Sequence, residues 1–276
     1  MNCLNICKII VGNFGGSKYD YKNNRKYLKK MILPCDDEEK DRLRQQHWLL
    51  HIDIIGCMFK SPLKQKLKKG IYVLDSGCGS GIWLTNMAKL FPNSLFYGID
   101  IFSIDVNMGI KFFKHNIIQE TIWYEKFDFI YQRLLNTCLK DYEWAIVIKN
   151  LYKCCKKGGW IELIEIDLKV YEAKQEFQLV NYKTLEMLRN RGIDPQIVKK
   201  LPNILRNIGF TVIEINTYKV YMANVLFFED MYNVAKACKP YLEKTFNFKN
   251  YEDKIRKIFE ENKQAYFIWY NIIATK

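Results

Sequence analysis

The chain has 276 residues and a mass of 33.0 kDa, enough for one large domain with a substantial buried core. Apolar residues make up 49% of it and aromatic residues 15%, a composition typical of globular rather than disordered proteins. No apolar run approaches the roughly 20 residues that span a bilayer, so the sequence predicts no membrane segment.

The formal net charge is +13, and basic residues are densest in KYDYKNNRKYLKK (18–30) and KSPLKQKLKK (60–69). Basic surfaces attract phosphates, which makes nucleic acid a partner to consider. Neither segment carries a nucleic-acid-binding motif, and charge runs more often cover a solvated face. The charge alone therefore does not establish a nucleic-acid partner.

Nine cysteines are scattered through apolar segments, with no CxxC pair and no Cys/His cluster at metal-ligand spacing. An odd number of this kind is typical of reduced, mostly buried thiols. The amino-terminal MNCLNICKIIVG lacks the basic head, long apolar run and cleavage site of a signal peptide. We therefore expect no metal site and a soluble protein of the cytoplasm, with the nucleus as the alternative compartment.

The first 34 residues are polar, basic and rich in Gly, Asn and Tyr, and we expect them to form a loosely structured lead. Asp36 or Asp37 then caps a helix that extends to about Ile55, with acidic residues in its first turn where the helix dipole favours them. His47 lies among the apolar positions of this helix. Residues 35–276 are predicted to form the main domain.

Strands and helices alternate from Gly70 onward. The predicted strands are IYVLDSG, SLFYGIDI, IKFFKHN, KFDFIYQ, WIELIEIDL, TVIEINTYKVYM and AYFIWYNIIAT. This alternation indicates an α/β fold: a Rossmann-like, doubly wound, mostly parallel seven-stranded sheet with helices on both faces. A helical insertion over about 225–264 precedes the last strand. We expect that strand to enter antiparallel beside the fifth, with the insertion as a small helical cap over the carboxyl edge of the sheet.

A glycine-rich turn follows the first of these strands in IYVLDSGCGSGIW (71–83). Gly77, Gly79 and Gly81 allow a sharp turn into a helix and let a ligand approach the backbone closely. A dinucleotide-binding turn has the spacing GxGxxG and places a pyrophosphate on the helix N-terminus. The spacing here is DxGxGxG, and the acid at Asp75 disfavours a doubly negative pyrophosphate but suits a cationic ligand.

A second acid, Asp100, ends the next strand, nineteen residues after Gly81. A carboxylate at this position can accept both hydroxyls of a ribose. A nucleoside that also carries positive charge describes S-adenosylmethionine, whose sulfonium and amino groups are cationic. The residues thus predict S-adenosylmethionine as the cofactor, with S-adenosylhomocysteine as its product.

The segment VLDSGCGSG, together with Asp100, resembles motif I and the acidic strand-two end of class I S-adenosylmethionine-dependent methyltransferases. The likeness covers roughly residues 32–276, because four more segments resemble the LaeA-like group of fungal methyltransferases: LPCDDEEKDRLRQQHWLL, FDFIYQRLL, KKGGWIELIEIDL and RNRGIDPQIVKKLPNILRNIGF. The chain departs from the family at Cys35, where Asn is usual, and at Asn116, where many relatives have an acid. It also lacks a Pro in IFSIDVN, after the strand-two acid, and the segment IIQETIWYE between strands three and four is short.

The resemblance implies a cofactor contact for each matching position. Asp75 and the turn would line the methionine and ribose portions, Asp100 would hold the ribose, and Ile101 would pack near the adenine. Asn116 would meet the adenine amino group, and Gln132 would border the methionine end. The cofactor-binding residues implied in this way are Asp75, Gly77, Cys78, Gly79, Gly81, Asp100, Ile101, Asn116 and Gln132.

Methyl transfer from a sulfonium requires an acceptor held in line with the S–CH3 bond and needs no dedicated base. His47 and Tyr131 are weak candidates to take a proton from a hydroxyl or ammonium acceptor. A histidine on the apolar side of a helix is more often a hydrogen-bonded packing residue, so the catalytic residue stays unassigned. Glu162 and Glu165, three apart on a strand, face opposite ways, so at most one of them faces the acceptor pocket.

The sequence therefore predicts a methyltransferase that acts on an unidentified small molecule or protein by in-line displacement. The resemblance also permits a methyltransferase-like regulator that binds the cofactor and acts through protein partners with little or no turnover. The glycine spacing disfavours an NAD-dependent oxidoreductase. Nucleic-acid methylation rests on charge alone, because the chain has no Asn/Asp-Pro-Pro-Tyr motif.

Overall fold

A computed structural model describes residues 19–23, 25–29, 31–103, 109–246, 248 and 250–276 of the chain. The strands in these ranges are β1 (Tyr19–Lys22), β2 (Arg25–Leu28), β3 (Tyr72–Ser76), β4 (Leu95–Asp100), β5 (Lys111–Lys114), β6 (Phe127–Arg133), β7 (Cys155–Tyr171), β8 (Thr211–Tyr221) and β9 (Tyr266–Thr275). The α-helices are α1 (Asp37–Trp48), α2 (Lys64–Lys69), α3 (Ile82–Leu90), α4 (Glu143–Cys154), α5 (Gln175–Arg189), α6 (Leu201–Ile208), α7 (Val225–Phe246) and α8 (Tyr251–Glu260). None of the helices in the described ranges combines the length and the apolar character needed to cross a bilayer.

Seven strands form one sheet in the order β5-β4-β3-β6-β7-β9-β8. The first five strands in this order, β5, β4, β3, β6 and β7, are parallel to one another. β9 lies between β7 and β8 and is antiparallel to both. This confirms the predicted seven-stranded, mostly parallel sheet whose last strand enters antiparallel beside the fifth. Burial of the parallel strands on both faces explains why they read as nearly continuous apolar runs.

Helices cover both faces of this sheet. On one face α3, α5, α7 and α8 share a core that includes Trp83 and Phe177. On the other face α4 and α6 pack around Trp144 and Leu205. The doubly wound arrangement predicted from the alternating pattern is therefore confirmed, and the carboxyl ends of β3, β4 and β6 meet at one edge between the two helical layers.

α1 begins where the sequence predicts. Asp36 is its N-cap, and the Oδ1 atom of Asp36 accepts the backbone N–H of Glu39 at 3.0 Å. The helix continues as a π-helical turn over Leu49–Ile54. The whole helical segment therefore ends next to Ile55, as its apolar pattern indicates.

The amino-terminal lead contains regular structure where it is described. β1 and β2 form an antiparallel hairpin with Tyr19 opposite Leu28, whereas the sequence predicts a loosely structured lead over residues 1–34. The hairpin is held from outside, because the hydroxyl of Tyr27 donates to the carbonyl of Ala237 at 2.8 Å. A contact 210 residues away has no signature in the local composition. Residues 1–18 of the lead lie outside the described residues.

α7 and α8 occupy the predicted helical insertion, and α7 binds back to α1. Arg42 on α1 is buried and forms ion pairs of 2.6 Å with Glu39 and with Asp230 on α7. Gln46 Nε2 donates to the same Asp230 carboxylate at 3.1 Å. These contacts join the amino-terminal segment and the insertion on the α3 side of the sheet.

Candidate functional site

The glycine turn joins β3, which ends at Ser76, to α3, which begins at Ile82. Gly77, Gly79 and Gly81 have φ angles of 70°, 55° and 72°. These angles lie in the left-handed region, where a residue with a Cβ atom is strained. The backbone path itself therefore requires glycine at these positions, as the spacing predicts.

Gly77 is the tightest point of the turn. A Cβ atom at Gly77 would lie 3.0 Å from each methyl carbon of Leu135. Leu135 lies just after the end of β6, the strand that pairs with β3. The backbone of Gly77 is thus uncovered by a side chain of its own, and the side chain of Leu135 faces it. We call this region, bounded by Asp75, Gly77 and Leu135, the crevice.

Asp75 lies on β3 just before the turn, and only 1% of its surface is exposed. Neither carboxylate oxygen has a hydrogen-bond partner among the described residues. Burial raises the pKa of Asp75 to about 7, an effect that nearby Arg133 opposes and nearby Asp100 increases. A buried acid without a partner costs stability, and such a group beside a turn that lacks side chains is a candidate for ligand binding.

Asp100, at the end of β4, is tied to the turn. Its Oδ2 atom accepts the backbone N–H of Gly79 at 2.9 Å, and its Oδ1 atom accepts that of Phe102 at 2.9 Å. Burial raises the pKa of Asp100, although these backbone N–H groups favour its charged form. Each carboxylate oxygen keeps a second lone pair for another donor. Asp100 is therefore placed to hold the turn and to accept hydroxyl groups of a ligand.

Ile101 and Asn116 follow the neighbouring strands β4 and β5. The backbone N–H of His115 donates to the carbonyl of Asp100 at 2.9 Å, which holds the two strand ends together. Asn116 Oδ1 accepts the backbone N–H of Ile118 at 3.1 Å. The structure thus brings Ile101 and Asn116 to the same edge as Asp100. Residues 104–108, which include much of IFSIDVN, lie outside the described residues.

The side chain of Cys78 does not face the crevice. Its Sγ atom lies 3.0 Å from the position of a Cβ atom on Gly98, and only 5% of the residue is exposed. Its backbone N–H donates to the carbonyl of Ile99 at 3.0 Å. Cys78 therefore packs into the core, whereas the family resemblance implies that it lines the cofactor.

Gln132 also faces away from Asp75. In the parallel pairing of β3 and β6 it stands opposite Ser76, whose hydroxyl donates to Gln132 Oε1 at 3.1 Å. Because side chains alternate along a strand, Gln132 lies on the sheet face opposite to Asp75. Its Nε2 atom is buried and has no hydrogen-bond partner among the described residues. Only this amide donor is available to border a ligand.

Arg133, at the end of β6, contacts two buried histidines of the segment that contains α1. Its Nη1 atom lies 3.2 Å from His47 Nδ1 and 3.3 Å from His51 Nε2. The other ring nitrogen of His51 lies 2.8 Å from the carbonyl of Cys57, so it carries the proton and Nε2 accepts from Arg133. The other ring nitrogen of His47, Nε2, lies 3.0 Å from the amide nitrogen Nδ2 of Asn86.

Neither predicted base is free to take a proton. Burial, with a further contribution from Arg133, lowers the pKa of His47 to about 2 and that of His51 to about 3. Tyr131 is fully buried and stacked on Trp83 with 4.0 Å between ring centroids. Its hydroxyl lies 3.4 Å from His51 Nε2, and burial raises its pKa well above the usual value. The geometry therefore argues against His47 and Tyr131 as general bases.

The two glutamates of β7 both bind the protein itself. Glu162 accepts the backbone N–H groups of residues 60–61 at 2.9–3.0 Å. Glu165 accepts the backbone N–H groups of Leu135 at 2.8 Å and Asn136 at 3.1 Å. Glu165 thus fixes the turn that carries Leu135, and both carboxylates are engaged by N–H groups of the protein itself.

Three residues of this site carry no prediction from the sequence. His51 follows His47 by four positions, and this spacing puts both rings on one face of a helix. The sequence could therefore have predicted that the two histidines lie together. Arg133 is two positions beyond Tyr131 on a strand, so alternation places them on one face. Leu135 has no such signal, because its contact with Gly77 depends on the turn after β6.

A family model described as a methyltransferase domain matches residues 57–215. This is more than half of the chain, and it includes the glycine turn, β4 and the carboxyl end of β6. The match therefore covers the residues that form the crevice.

Fungal relatives share part of this region. The secondary metabolism regulator laeA of Coprinopsis cinerea is 30% identical over 167 residues, which cover 53% of this chain and 38% of the relative. The N-methyltransferase sirN of Leptosphaeria maculans is 34% identical over 140 residues, 49% of each chain. The methyltransferase pytC of Aspergillus terreus is 30% identical over 156 residues, 54% of this chain and 47% of the relative. The matches confirm the predicted relation to the LaeA-like group, and this chain spans about half or less of each relative.

Solved structures share the fold. A sarcosine dimethylglycine methyltransferase from Galdieria sulphuraria gives a TM-score of 0.51 at 11% identity, over 89% of this chain and 92% of that one. An S-adenosylmethionine-dependent methyltransferase from Methanosarcina mazei gives 0.50 at 14% identity, over 79% of this chain and 98% of that one. At these identities the likeness concerns the fold, and it confirms the Rossmann-like architecture.

Proposed function

This chain belongs to the methyltransferase-domain family, and from that premise we propose that it transfers a methyl group from S-adenosylmethionine to a small-molecule or protein acceptor. The observation that supports this most is the state of Asp75. It is a buried carboxylate with no hydrogen-bond partner among the described residues, next to a turn of left-handed glycines. A cationic ligand at the turn supplies the missing partner.

The groups around the turn fit S-adenosylmethionine part by part. Asp75 would bind the positively charged methionine portion above the backbone of Gly77. Asp100 would accept the ribose hydroxyls through its remaining lone pairs. Ile101 and Asn116 would lie at the adenine. A pyrophosphate at the same turn would lack the GxGxxG spacing that seats it on the helix N-terminus and would meet Asp75 instead.

The contribution of the protein to the reaction is positioning. When bound, the cofactor supplies a methyl group on a positively charged sulfur, which a nucleophile displaces. Correct orientation of two reactants lowers a barrier by roughly 7–11 kcal/mol in favourable systems. His47, His51 and Tyr131 are committed to hydrogen bonds with one another and with Arg133. We therefore assign no general base, and an acceptor that reacts without deprotonation by the protein suits this site.

The alternative function is a regulator that binds the cofactor and acts through protein partners with little or no turnover. It is favoured by the names of several relatives, which are called secondary metabolism regulators. Release of S-adenosylhomocysteine from S-adenosylmethionine in the presence of a panel of amine, carboxylate and peptide acceptors supports the enzyme. Tight cofactor binding without release supports the regulator.

We place the protein in the cytoplasm, with the nucleus as the alternative. The cysteines of the described ranges form no disulfide with one another, and Cys78, Cys154, Cys155 and Cys238 are buried. This pattern is typical of a reducing compartment. No motif in the sequence supports nucleic acid as a partner.

Calorimetric titration with S-adenosylhomocysteine tests the ribose assignment. We expect the native chain to bind it and Asp100→Ala to bind at least roughly tenfold more weakly, because charge-assisted hydrogen bonds are lost. A matched control is Asp128→Ala, since Asp128 also accepts a backbone N–H, that of Tyr72 at 2.9 Å, but near the start of β6. Unchanged affinity in Asp100→Ala would refute the assignment, and an equal loss in both variants would mean a general effect on the fold.

A further inference from the structure

Arg133 stands one strand away from the glycine turn. The parallel register of β3 and β6 puts Asp75 opposite Tyr131 and ends with Ser76 opposite Gln132. Gly77 directly follows this last pair on one side, and Arg133 directly follows it on the other. Tyr131 and Arg133 share a sheet face because side chains alternate along a strand. The carboxylate of Asp75 and the guanidinium of Arg133 therefore lie on the same face, at the mouth of the crevice.

Two histidines orient the guanidinium of Arg133, and no carboxylate among the described residues pairs with it. Its Nη1 atom lies 3.2 Å from His47 Nδ1 and 3.3 Å from His51 Nε2, and both rings are neutral, so neither cancels the charge of the guanidinium. Its Nε and Nη2 atoms make no hydrogen bond, and the side chain forms no ion pair, within the described ranges of the chain. A guanidinium stays charged at any physiological pH, and its remaining donors form a fork that matches a carboxylate.

The crevice thus contains a carboxyl group and a guanidinium, neither of which forms an ion pair within the described ranges. The Asp75 oxygens accept no hydrogen bond from Arg133 or from any other described residue. A ligand that satisfies both groups needs an ammonium and a carboxylate close together. An α-amino acid has this arrangement, and so does the methionine portion of S-adenosylmethionine.

We propose that Arg133 binds the α-carboxylate of the cofactor's methionine portion while Asp75 binds its α-ammonium. This inference rests on the proposed function and adds a carboxylate-binding residue to it. His47 and His51 act as positioning residues that aim the guanidinium at the crevice. An anionic acceptor is a second source of a carboxylate, but the place of Arg133 beside Gly77 favours the cofactor.

A series of three ligands on the native chain tests the proposal by calorimetry. S-adenosylhomocysteine carries both charged groups, S-adenosyl-3-thiopropylamine lacks the carboxylate, and 5′-methylthioadenosine lacks both. We expect removal of the carboxylate to weaken binding at least roughly tenfold and removal of both groups to weaken it further. Equal affinity for the first two ligands would overturn the proposal without any variant having to fold.

The variant Arg133→Met then locates the effect. We expect it to bind S-adenosylhomocysteine at least roughly tenfold more weakly, while its affinity for S-adenosyl-3-thiopropylamine stays within about twofold of native. Arg133→Lys keeps the charge and should recover part of the lost affinity for S-adenosylhomocysteine alone. An equal loss of affinity for all three ligands in Arg133→Met would mean that Arg133 only supports the fold. Unchanged affinity for S-adenosylhomocysteine would assign Arg133 to the acceptor. Either result overturns the proposal.

Failure of the proposed function is a separate outcome. In that case the native chain binds none of the three ligands. If the native chain binds all three and Arg133→Met does not discriminate among them, the cofactor assignment stands and only the role of Arg133 is wrong.

Discussion

The two methyl carbons of Leu135 lie 3.0 Å from the point that a Cβ atom of Gly77 would occupy. Replacement of Gly77 by Ala adds this contact to the strain of a Cβ atom at a φ of 70°. We expect Gly77→Ala to lower the free energy of unfolding by about 1–3 kcal/mol, measured by urea denaturation. We also expect it to weaken S-adenosylhomocysteine binding at least roughly tenfold, because Leu135 is pushed into the crevice.

Gly158→Ala is the matched control for this variant. Gly158 also has a φ of 70°, but nothing lies within 4 Å of the added Cβ atom. It therefore shares the backbone strain, which costs about 1 kcal/mol, without the steric contact. Its ligand affinity should equal that of the native chain. If both variants bound the ligand equally well, the crevice would not be where we place it.

Asp75 should lower the free energy of unfolding of the ligand-free chain and strengthen binding of the cofactor. Its pKa of about 7 in the folded chain lies above its ordinary value of 3.8. The stability it contributes is therefore present below pH 3.8 and is lost as the pH rises towards 7. We expect Asp75→Asn to raise the free energy of unfolding at pH 8 by about 1–3 kcal/mol, with a smaller gain at pH 5.

The same variant should bind S-adenosylhomocysteine at least roughly tenfold more weakly, because the partner of its ammonium is neutralised. Denaturation at the two pH values and calorimetry give the two effects separately. A variant that is less stable than the native chain at pH 8 and binds the ligand normally would show that Asp75 serves the fold alone.

The ion pairs of Arg42 should be essential to the junction of α1 and α7. Arg42→Met leaves the buried carboxylates of Glu39 and Asp230 without their partner, which costs about 3–5 kcal/mol in buried pairs of this kind. Arg44→Met removes a pair of similar length, 2.7 Å to Asp41, whose side chains are 60% and 66% exposed. Such a pair is worth less than about 1 kcal/mol. Similar losses in urea denaturation would contradict the role given to the buried network.

His47 and His51 should remain neutral, and His51 should carry its proton on Nδ1. The Nδ1 atom of His51 lies 2.8 Å from the carbonyl of Cys57, which can only accept a hydrogen bond. Their lowered pKa values mean that neither ring takes up a proton between about pH 5 and pH 8. Nitrogen-15 NMR of the ring nitrogens measures both properties. A midpoint near the ordinary value of 6.5 for either ring, or a proton on Nε2 of His51, would contradict the arrangement around Arg133.

The sequence determines the fold to a large extent because periodicity and turn chemistry are local. The seven strands of the main sheet appear where apolar runs predict them, and α1 begins at the cap that Asp36 provides. The hairpin of β1 and β2 is different, since it depends on the distant bond from Tyr27 to Ala237. No local pattern encodes a contact of that kind.

The site divides in the same way. The positions of Asp75 and Asp100 follow from motif spacing, because both lie at strand ends next to the turn. The inward orientation of Cys78 depends on the space above Gly98, and the low pKa of His47 depends on its burial and on Arg133, 86 positions away. Side-chain orientation and proton affinity are products of tertiary packing, so spacing alone does not predict them.

The most direct test measures the affinity of the native chain for S-adenosylhomocysteine and for NADH in parallel calorimetric titrations. We predict a dissociation constant on the order of micromolar or lower for S-adenosylhomocysteine, and binding of NADH at least roughly a hundredfold weaker, because the turn lacks the GxGxxG spacing that seats a pyrophosphate on the helix N-terminus. Binding of NADH as tight as that of S-adenosylhomocysteine, or tighter, would contradict a crevice built for a positively charged nucleoside.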